Sequence, residues 1–158
     1  MMGIRFEVEN EYGNFLKQIF SSVDVINYEW QIVTNDSIKS MIKIGDRFFS
    51  ENLFGDGDTV IDGKTFLKNI NLKSYYMIFI DLKAFLIGST HKEIQSYEDY
   101  LNSDCQIVFM CVDSSYIEVF CKDKSILEII HKNCINYNFM NIELISHEEC
   151  LGRSMLAF

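Results

Sequence analysis

The stretch CQIVFMCVDSSYIEVFC, residues 105–121, decides the fold of this chain. Two apolar segments, residues 107–112 and 116–120, flank a short polar segment at 113–115. Both apolar segments are rich in β-branched and aromatic residues, a composition that is typical of paired strands joined by a tight turn. The sequence therefore predicts a β-hairpin in the centre of a sheet.

The register of this hairpin decides which side chains face a core. A two-residue turn at Ser114 and Ser115 places Asp113 opposite Tyr116, and side chains then alternate between the two faces. One face carries no charged residue, whereas Glu118 lies on the other face. The uncharged face consists of Val108, Met110, Val112, Ile117, Val119 and Cys121. We expect this face to pack against a core.

Apolar periodicity outside the hairpin predicts the remaining elements. Helical spacing indicates two main helices, residues 11–21 and 124–136. Alternating or continuous apolar runs predict strands at residues 3–8, 26–33, 37–44, 75–82 and 140–145. The strands at 26–33 and 37–44 are expected to pair as a second hairpin across a short turn.

Turn-forming residues mark the connections. Residues 55–63, GDGDTVIDG, predict a surface loop, and the tail after His147 shows no periodicity and is expected to be irregular. Together these elements predict an α+β protein with a mostly antiparallel sheet and both main helices on one face. We expect a single domain spanning residues 1–158.

Composition limits the classes of function. The chain of 158 residues is 48% hydrophobic and carries a net charge of −9, which argues against a nucleic-acid partner. An acidic surface suits a basic protein partner, but solubility alone is the commoner explanation for it. No apolar run has the length of a membrane span or of a signal peptide. Five cysteines without a paired spacing fit free thiols in a reducing compartment, so we predict a cytoplasmic protein.

The turn-rich loop contains the carboxylates of Asp56, Asp58 and Asp62. A calcium-binding EF-hand loop requires an oxygen ligand and a glycine at the positions of Val60 and Ile61, so the pattern does not predict a calcium site. We retain the three aspartates as candidate residues for binding a basic partner.

Histidine and cysteine occur three residues apart at His131 and Cys134, and again at His147 and Cys150. Structural zinc needs four ligands and thiolate pairs two to four residues apart, a spacing that this chain lacks. A cysteine nucleophile needs a neighbouring histidine oriented by a third group, and Cys150 with His147 and Glu148 or Glu149 is the only local candidate. We predict neither a metal nor a cofactor.

Two aspartates end apolar strand segments, Asp81 in YYMIFID and Asp113 in CQIVFMCVD. If these strands are neighbours, the two carboxylates can meet near the strand ends, with Tyr116 and His91 as further candidate catalytic residues. Aspartate is also a common residue at the start of a turn, which needs no catalytic explanation.

Three long segments carry a family resemblance. They are GIRFEVENEYGNFL at 3–16, YYMIFIDLKAF at 75–85 and YEDYLNSDCQIVFMCVDSSYIEVFCKD at 97–123. Together they resemble a family of small acidic proteins of unknown function from low-GC Gram-positive bacteria. The resemblance covers nearly the whole chain, and it implies no activity and no site residues.

Three hypotheses follow. The first is a non-catalytic cytoplasmic binding or regulatory module that acts through protein–protein contacts, with bacterial immunity proteins as an analogy only. The second is a small enzyme with a site around the ends of strands 75–81 and 105–113. The third is a protein that self-associates through a sheet edge, since the sequence leaves the oligomeric state open.

Overall fold

A computed structural model describes residues 1–33, 40–44, 47–49, 51–55 and 59–158 of the chain. The strands in chain order are β1 (Gly3–Glu7), β2 (Tyr28–Val33), β3 (Ser40–Ile44), β4 (Arg47–Phe49), β5 (Thr59–Asp62), β6 (Tyr75–Met77), β7 (Ile80–Leu86), β8 (Cys105–Val112), β9 (Tyr116–Cys121) and β10 (Met140–Ile145). The helices are α1 (Phe15–Ile19), α2 (Gly63–Ile70), α3 (Tyr97–Leu101), α4 (Lys124–Asn136) and α5 (His147–Cys150), and a 3₁₀ turn spans Val25–Asn27. In this described part of the chain, no helix combines the length and the apolar character that a membrane crossing requires.

Seven strands form one sheet in the order β10-β1-β9-β8-β7-β2-β5, and every neighbouring pair is antiparallel. A smaller sheet has the order β4-β3-β6. The helices α1, α2 and α4 contribute to the main core on one side of the large sheet, which we call the helical face. The predicted α+β class, with two main helices on one face of a mostly antiparallel sheet, is therefore confirmed.

The central hairpin forms as predicted, but its register was predicted wrongly by one position. Val112 pairs with Tyr116, so the turn contains three residues rather than two. Asp113 and Ser114 adopt φ values of 49° and 69°, in the left-handed region that Asp enters more readily than most residues. The longer turn sends Ile117 and Cys111 to the helical face and Met110 to the opposite face.

Aromatic packing and one buried amide hold the helical face together. The Trp30 ring stacks on Phe66 of α2, with ring centroids 3.8 Å apart and planes at 4°. Asn133 of α4 donates to the carbonyl oxygens of Ile19 and Ser21 at 3.0 and 2.7 Å. These bonds satisfy both amide hydrogens of a buried side chain and fix the end of α1 against α4.

The first helix is shorter than the predicted range 11–21 because the backbone at Gly13 has another partner. Gly13 and Tyr75 exchange two hydrogen bonds, from N of Gly13 to O of Tyr75 at 3.0 Å and in reverse at 2.8 Å. Asn14 then precedes the helix, which begins at Phe15. A backbone group paired across a bridge cannot also open a helix, so α1 starts after it.

Two strand predictions were wrong in their pairing. The segments at 26–33 and 37–44 do not form a hairpin, because β2 pairs with β5 and β7 while β3 pairs with β4 and β6. The segment at 75–82 is also divided between two sheets, as β6 and β7. Pairing choices of this kind depend on contacts between distant segments, which apolar periodicity does not encode.

The predicted surface loop at 55–63 contains a strand. Its residues Thr59–Asp62 form β5, the last strand of the large sheet, and pair with β2. Three of these four residues are Thr, Val and Ile, whose β-branched side chains favour an extended backbone. The turn-forming residues around them led to the prediction of a loop in place of this strand.

The tail, predicted to be irregular, is ordered and covers the second side of the sheet. Ser146 and Glu149 form a capping box that begins α5. Beyond α5, the amide of Tyr97 donates to the carbonyl oxygen of Arg153 at 3.0 Å, and the amide of Met155 donates to that of Gln95 at 2.8 Å. We call residues 146–158 the strap, and the side of the sheet beneath it the strap face.

A second apolar core lies on the strap face. Its buried residues are Phe85, Ile94, Tyr97, Tyr100, Cys105, Val108, Met110, Phe120, Ile145, Cys150, Met155 and Ala157. The central strands are consequently buried on both sides, which explains why β8 is almost entirely apolar and why even Asp81 and Lys83 of β7 are buried.

A buried ion pair anchors the strap. Lys83 and Asp81 are each at most 1% exposed, and the Lys83 ammonium donates to the Asp81 carboxylate and to the carbonyl oxygen of Met155, the latter at 2.6 Å. The second Asp81 oxygen accepts from the amide of Ala157 at 3.0 Å. Burial lowers the pKa of Lys83, and the neighbouring Asp81 charge opposes that effect.

A bulge interrupts β10, which is an end strand of the large sheet. Arg5 pairs with Glu143, but Glu7 pairs with Met140, so β10 contains one residue more than β1 in this interval. Asn141 lies in the interval with a φ of 52°. A left-handed residue at this point bends the strand and breaks its regular pairing.

Gly63, at the start of α2, provides a test of close backbone packing. A Cβ at this position would lie 2.6 Å from the carbonyl oxygen of Ile26, so Gly63→Ala requires the 3₁₀ turn and α2 to separate. We expect a loss of about 1–3 kcal/mol or more in the free energy of unfolding, measured by urea denaturation. The exposed control Lys64→Ala should leave it nearly unchanged, and an unshifted midpoint for Gly63→Ala would contradict the packing described.

The ion pair under the strap provides a second test. Lys83→Met leaves the Asp81 carboxylate buried without its cation and should cost about 3–5 kcal/mol in the free energy of unfolding. The double variant Lys83→Met/Asp81→Leu removes both charges and should recover part of this loss. The exposed control Lys124→Met should have little effect. Equal stability of wild type and Lys83→Met in urea denaturation would refute the anchoring role.

Candidate binding groove on the strap face

The strap leaves part of the sheet uncovered over β1, β9 and β10. A cavity of about 390 Å³ opens there. The polar and aromatic residues in its lining include Arg5, Glu7, Tyr116, Glu118, Glu143 and Arg153. We call this cavity the groove.

Antiparallel pairing explains why these side chains meet. Glu118 of β9, Arg5 of β1 and Glu143 of β10 are direct cross-strand neighbours and form one row. Tyr116 and Glu7 form the next row. Side chains on one face of such pairs lie about 4.5–5.5 Å apart at Cβ, close enough for charged groups to interact.

The strap contributes Arg153 to one side of the groove. Its guanidinium donates two parallel hydrogen bonds to Glu118, at 2.9 and 2.8 Å, and lies 5.9 Å from the centroid of the Phe120 ring. The hydrogen bonds to Glu118 raise the pKa of Arg153. This bidentate pair has shorter distances than the Arg5 ion pairs of the groove and joins the strap to β9.

Arg5 is held more loosely. Its guanidinium lies 3.6 Å from Glu143 and 3.4 Å from Glu149 of α5. All three side chains are substantially exposed, at 37%, 65% and 49% respectively. Ion pairs of this length and exposure contribute little to stability and are screened by salt. The Glu143 carboxylate therefore remains accessible to a ligand from solvent.

The charge balance of the groove is acidic. Its lining contains three carboxylates and two guanidinium groups, so one negative charge remains, and Glu149 adds a second at the rim. Tyr116 is 56% exposed and presents an aromatic ring beside these charges. Such an arrangement can hold a positively charged group against a flat aromatic surface.

The four candidate catalytic residues occupy different surroundings. Tyr116 lines the groove, and Asp113 is exposed in the hairpin turn. Strand β7, which contains Asp81, and strand β8, which Asp113 follows, are neighbours, as the enzyme hypothesis requires. Asp81, however, is buried beneath the strap with Lys83. His91 lies 3.2 Å from Glu29 and stacks on Phe85, the residue four positions along β7 from Asp81.

The acidic loop is described only in part. Asp56 and Asp58 lie outside the described residues. Asp62 is the N-cap of α2, and its carboxylate accepts a hydrogen bond from the amide of Thr65 at 2.7 Å. The bond to Thr65 lowers the pKa of Asp62. Helix capping accounts for this aspartate locally.

All five cysteines are free and buried. Burial raises the pKa of Cys105, Cys111 and Cys134 to about 12 and that of Cys150 above its usual range. The thiolate is the nucleophilic form, so neutral pH leaves these thiols unreactive. Near Cys150, the Tyr97 hydroxyl lies 2.8 Å from Nδ1 of His147. Among the described residues, no group of three or more His, Cys, Asp or Glu side chains is placed to hold a metal ion.

Sequence reasoning found Tyr116 but missed the charged residues around it. Arg5 and Glu7 alternate on β1, which is a signal of an outward-facing row of charges. No pattern in the sequence indicated that Arg153 forms one side of the groove, because it lies in a tail without apolar periodicity. The pairing of β1 with both β9 and β10 assembles the groove.

The buried thiols predict a loss of stability in alkali. The unfolded chain releases a thiol proton near the ordinary pKa of 9.0, whereas folded Cys111 keeps it until about pH 12. The protonated Cys111 thiol makes its full contribution to the free energy of unfolding below pH 9. This contribution is lost as the pH rises toward 12, at about 1.4 kcal/mol per pH unit.

The variant Cys111→Ala isolates this contribution. In urea denaturation at increasing pH from 8 upward, the free energy of unfolding should fall less steeply with pH in Cys111→Ala than in wild type. Val108→Ala, a buried change without an ionisable group, should keep the wild-type slope despite its lower stability. Identical slopes for wild type and Cys111→Ala would contradict the buried state of the thiol.

Comparisons with known proteins agree with the resemblance seen in the sequence. The family described as "Protein of unknown function (DUF2691)" matches residues 1–156. The chain is 34% identical over 146 residues to "Uncharacterized protein YncE" of Bacillus subtilis (strain 168), and the match covers 92% of each chain. No solved structure matches. The predicted resemblance to a family of low-GC Gram-positive bacteria is confirmed, and the chain belongs to the DUF2691 family of proteins of unknown function.

Proposed function

We propose that this chain is a non-catalytic, single-domain binding module that recognises a basic segment of a partner protein in the groove. The observation that carries the proposal is the exposed Tyr116 beside the carboxylates of Glu7 and Glu143 in the lining of the groove. Exposed aromatic residues next to charged groups are the usual anchors of protein–protein interfaces. The remaining carboxylates give the groove its preference for a positive ligand.

The charge of the whole chain supports the same partner. A net charge of −9 attracts a basic protein over long distances and repels the phosphate backbone of a nucleic acid. Five unpaired cysteines support a reducing cytoplasm as the compartment.

The surroundings of the acid and thiol groups support binding rather than catalysis. Both carboxylate oxygens of Asp81 have partners within the fold, Lys83 and the amide of Ala157. The thiols have raised pKa values that suppress the thiolate. The groove itself contains charged residues paired with one another, which is an arrangement suited to recognition.

A peptide panel tests the proposal. Fluorescence anisotropy compares labelled 12-residue peptides that are matched in length and differ only in charge, from acidic through neutral to basic. We expect the basic peptides to bind, with an affinity that falls as salt increases. The double variant Glu7→Gln/Glu143→Gln should weaken binding about tenfold, because two attractive charges are removed from the contact.

The control is Glu128→Gln, which removes an exposed carboxylate on α4, away from the groove. It should retain most of the wild-type affinity. An equal loss in control and groove variants would assign binding to general charge attraction and not to the groove. If basic peptides bind no better than neutral or acidic ones, the proposal is wrong.

A further inference from the structure

We infer that the residue recognised in the groove is arginine, held over Tyr116 in a seat that repeats the seat occupied by Arg153. This inference rests on the proposed function and specifies its ligand chemistry. The repeat follows from the alternation of side chains along β9, where Tyr116, Glu118 and Phe120 project from the strap face in succession.

The first seat already contains a guanidinium group. Arg153 of the strap forms two hydrogen bonds with Glu118, at 2.9 and 2.8 Å, while its guanidinium carbon lies 5.9 Å from the Phe120 ring centroid. An aromatic ring and a carboxylate on successive strap-face positions of β9 thus hold an arginine from another segment of the chain.

The second seat lies on the other side of Glu118. Tyr116 precedes Glu118 by two residues, a displacement of about 6.8 Å along an antiparallel strand. Tyr116 is 56% exposed, and Glu7 lies directly opposite on β1. The second seat therefore has the same two components, an aromatic ring and a neighbouring carboxylate, within the open groove.

Arg5 belongs to the neighbouring row. It pairs across the sheet with Glu118 and Glu143, and its guanidinium contacts Glu143 and Glu149. These contacts direct its positive charge toward β10 and α5. The seat at Tyr116 and Glu7 is left to a group supplied by the partner.

The chemistry of the seat favours arginine over lysine. A planar guanidinium can stack on the Tyr116 ring while it donates paired hydrogen bonds to a carboxylate such as Glu7. A lysine ammonium is more strongly hydrated and meets the carboxylate as a point charge without stacking. Both cations satisfy the acidic charge of the groove, so only the shape and hydration of the ligand distinguish them.

Three small probes separate charge from shape. They are the N-acetyl methylamides of arginine, lysine and citrulline, the last being a neutral analogue of arginine with a similar planar end group. Each is titrated into the isotope-labelled protein, and backbone amide shifts are followed by NMR. We expect the arginine probe to shift the amides of Tyr116 and Glu7 with an affinity at least about fivefold above the lysine probe, and citrulline to bind most weakly.

Two variants locate the seat. Tyr116→Leu should reduce the difference between the arginine and lysine probes, because stacking is lost while the hydrogen bonds to Glu7 remain. Tyr137→Leu, which replaces a ring 45% exposed outside the groove, should keep the difference. The NMR spectrum of each variant also reports whether the fold is intact.

The outcomes distinguish failure of the arginine seat from failure of the proposed recognition of a basic partner. Equal affinities for the arginine and lysine probes in wild type overturn the arginine seat but leave the recognition of basic peptides standing. A preference for arginine that is undiminished in Tyr116→Leu overturns the placement of the seat. Absence of shifts with any probe at millimolar concentration overturns the seat, and the peptide panel then shows separately whether a basic partner is bound.

Discussion

The hydrogen-bonded ion pair of Lys83 and Asp81 is the interaction on which the strap face depends. Two charges removed from water need partners for their remaining donors and acceptors, and the strap supplies them from its backbone at Met155 and Ala157. The strap in turn covers the apolar residues of the second core. A sheet with a charged pair at its centre can be buried on both sides only because the tail crosses it at this point.

The position of the groove follows from the path of the strap. Residues beneath the strap are apolar or paired internally, whereas β1 and β10 at one end of the sheet place Arg5, Glu7 and Glu143 on the strap face. Arg153 lies at the boundary between these regions, with its backbone bonded to Tyr97 and its side chain bonded to Glu118. The same residue thus completes the second core and forms one wall of the groove.

Local patterns predicted much of the fold. The helical spacing of α4 and the central hairpin both depend on residues close together in sequence, and the structure contains both elements. The pairing of β2 was missed because both of its partners are distant in sequence. The hairpin register was missed because Asp113 and Ser114 both enter the left-handed region, which composition alone does not require.

The site was less predictable for the same physical reason. Tyr116 was selected as a candidate near a strand end. The carboxylates that form the groove with it, Glu7 and Glu143, lie on β1 and β10, which are distant from Tyr116 in sequence or paired only in the folded sheet. Asp81 was selected for its place after an apolar run, but it is the second residue of the buried strand β7. A charged residue within such a run signals a buried pair as readily as a catalytic group.

The bulge at Asn141 affects how readily the sheet associates edge to edge at high protein concentration. An end strand with regular, open hydrogen-bonding groups acts as a template on which further copies can polymerise edge to edge. In β10 the extra residue bends the strand and spoils the spacing that a growing fibril would have to copy. A single asparagine in an unusual backbone conformation thereby protects the sheet from amyloid-like stacking at this edge.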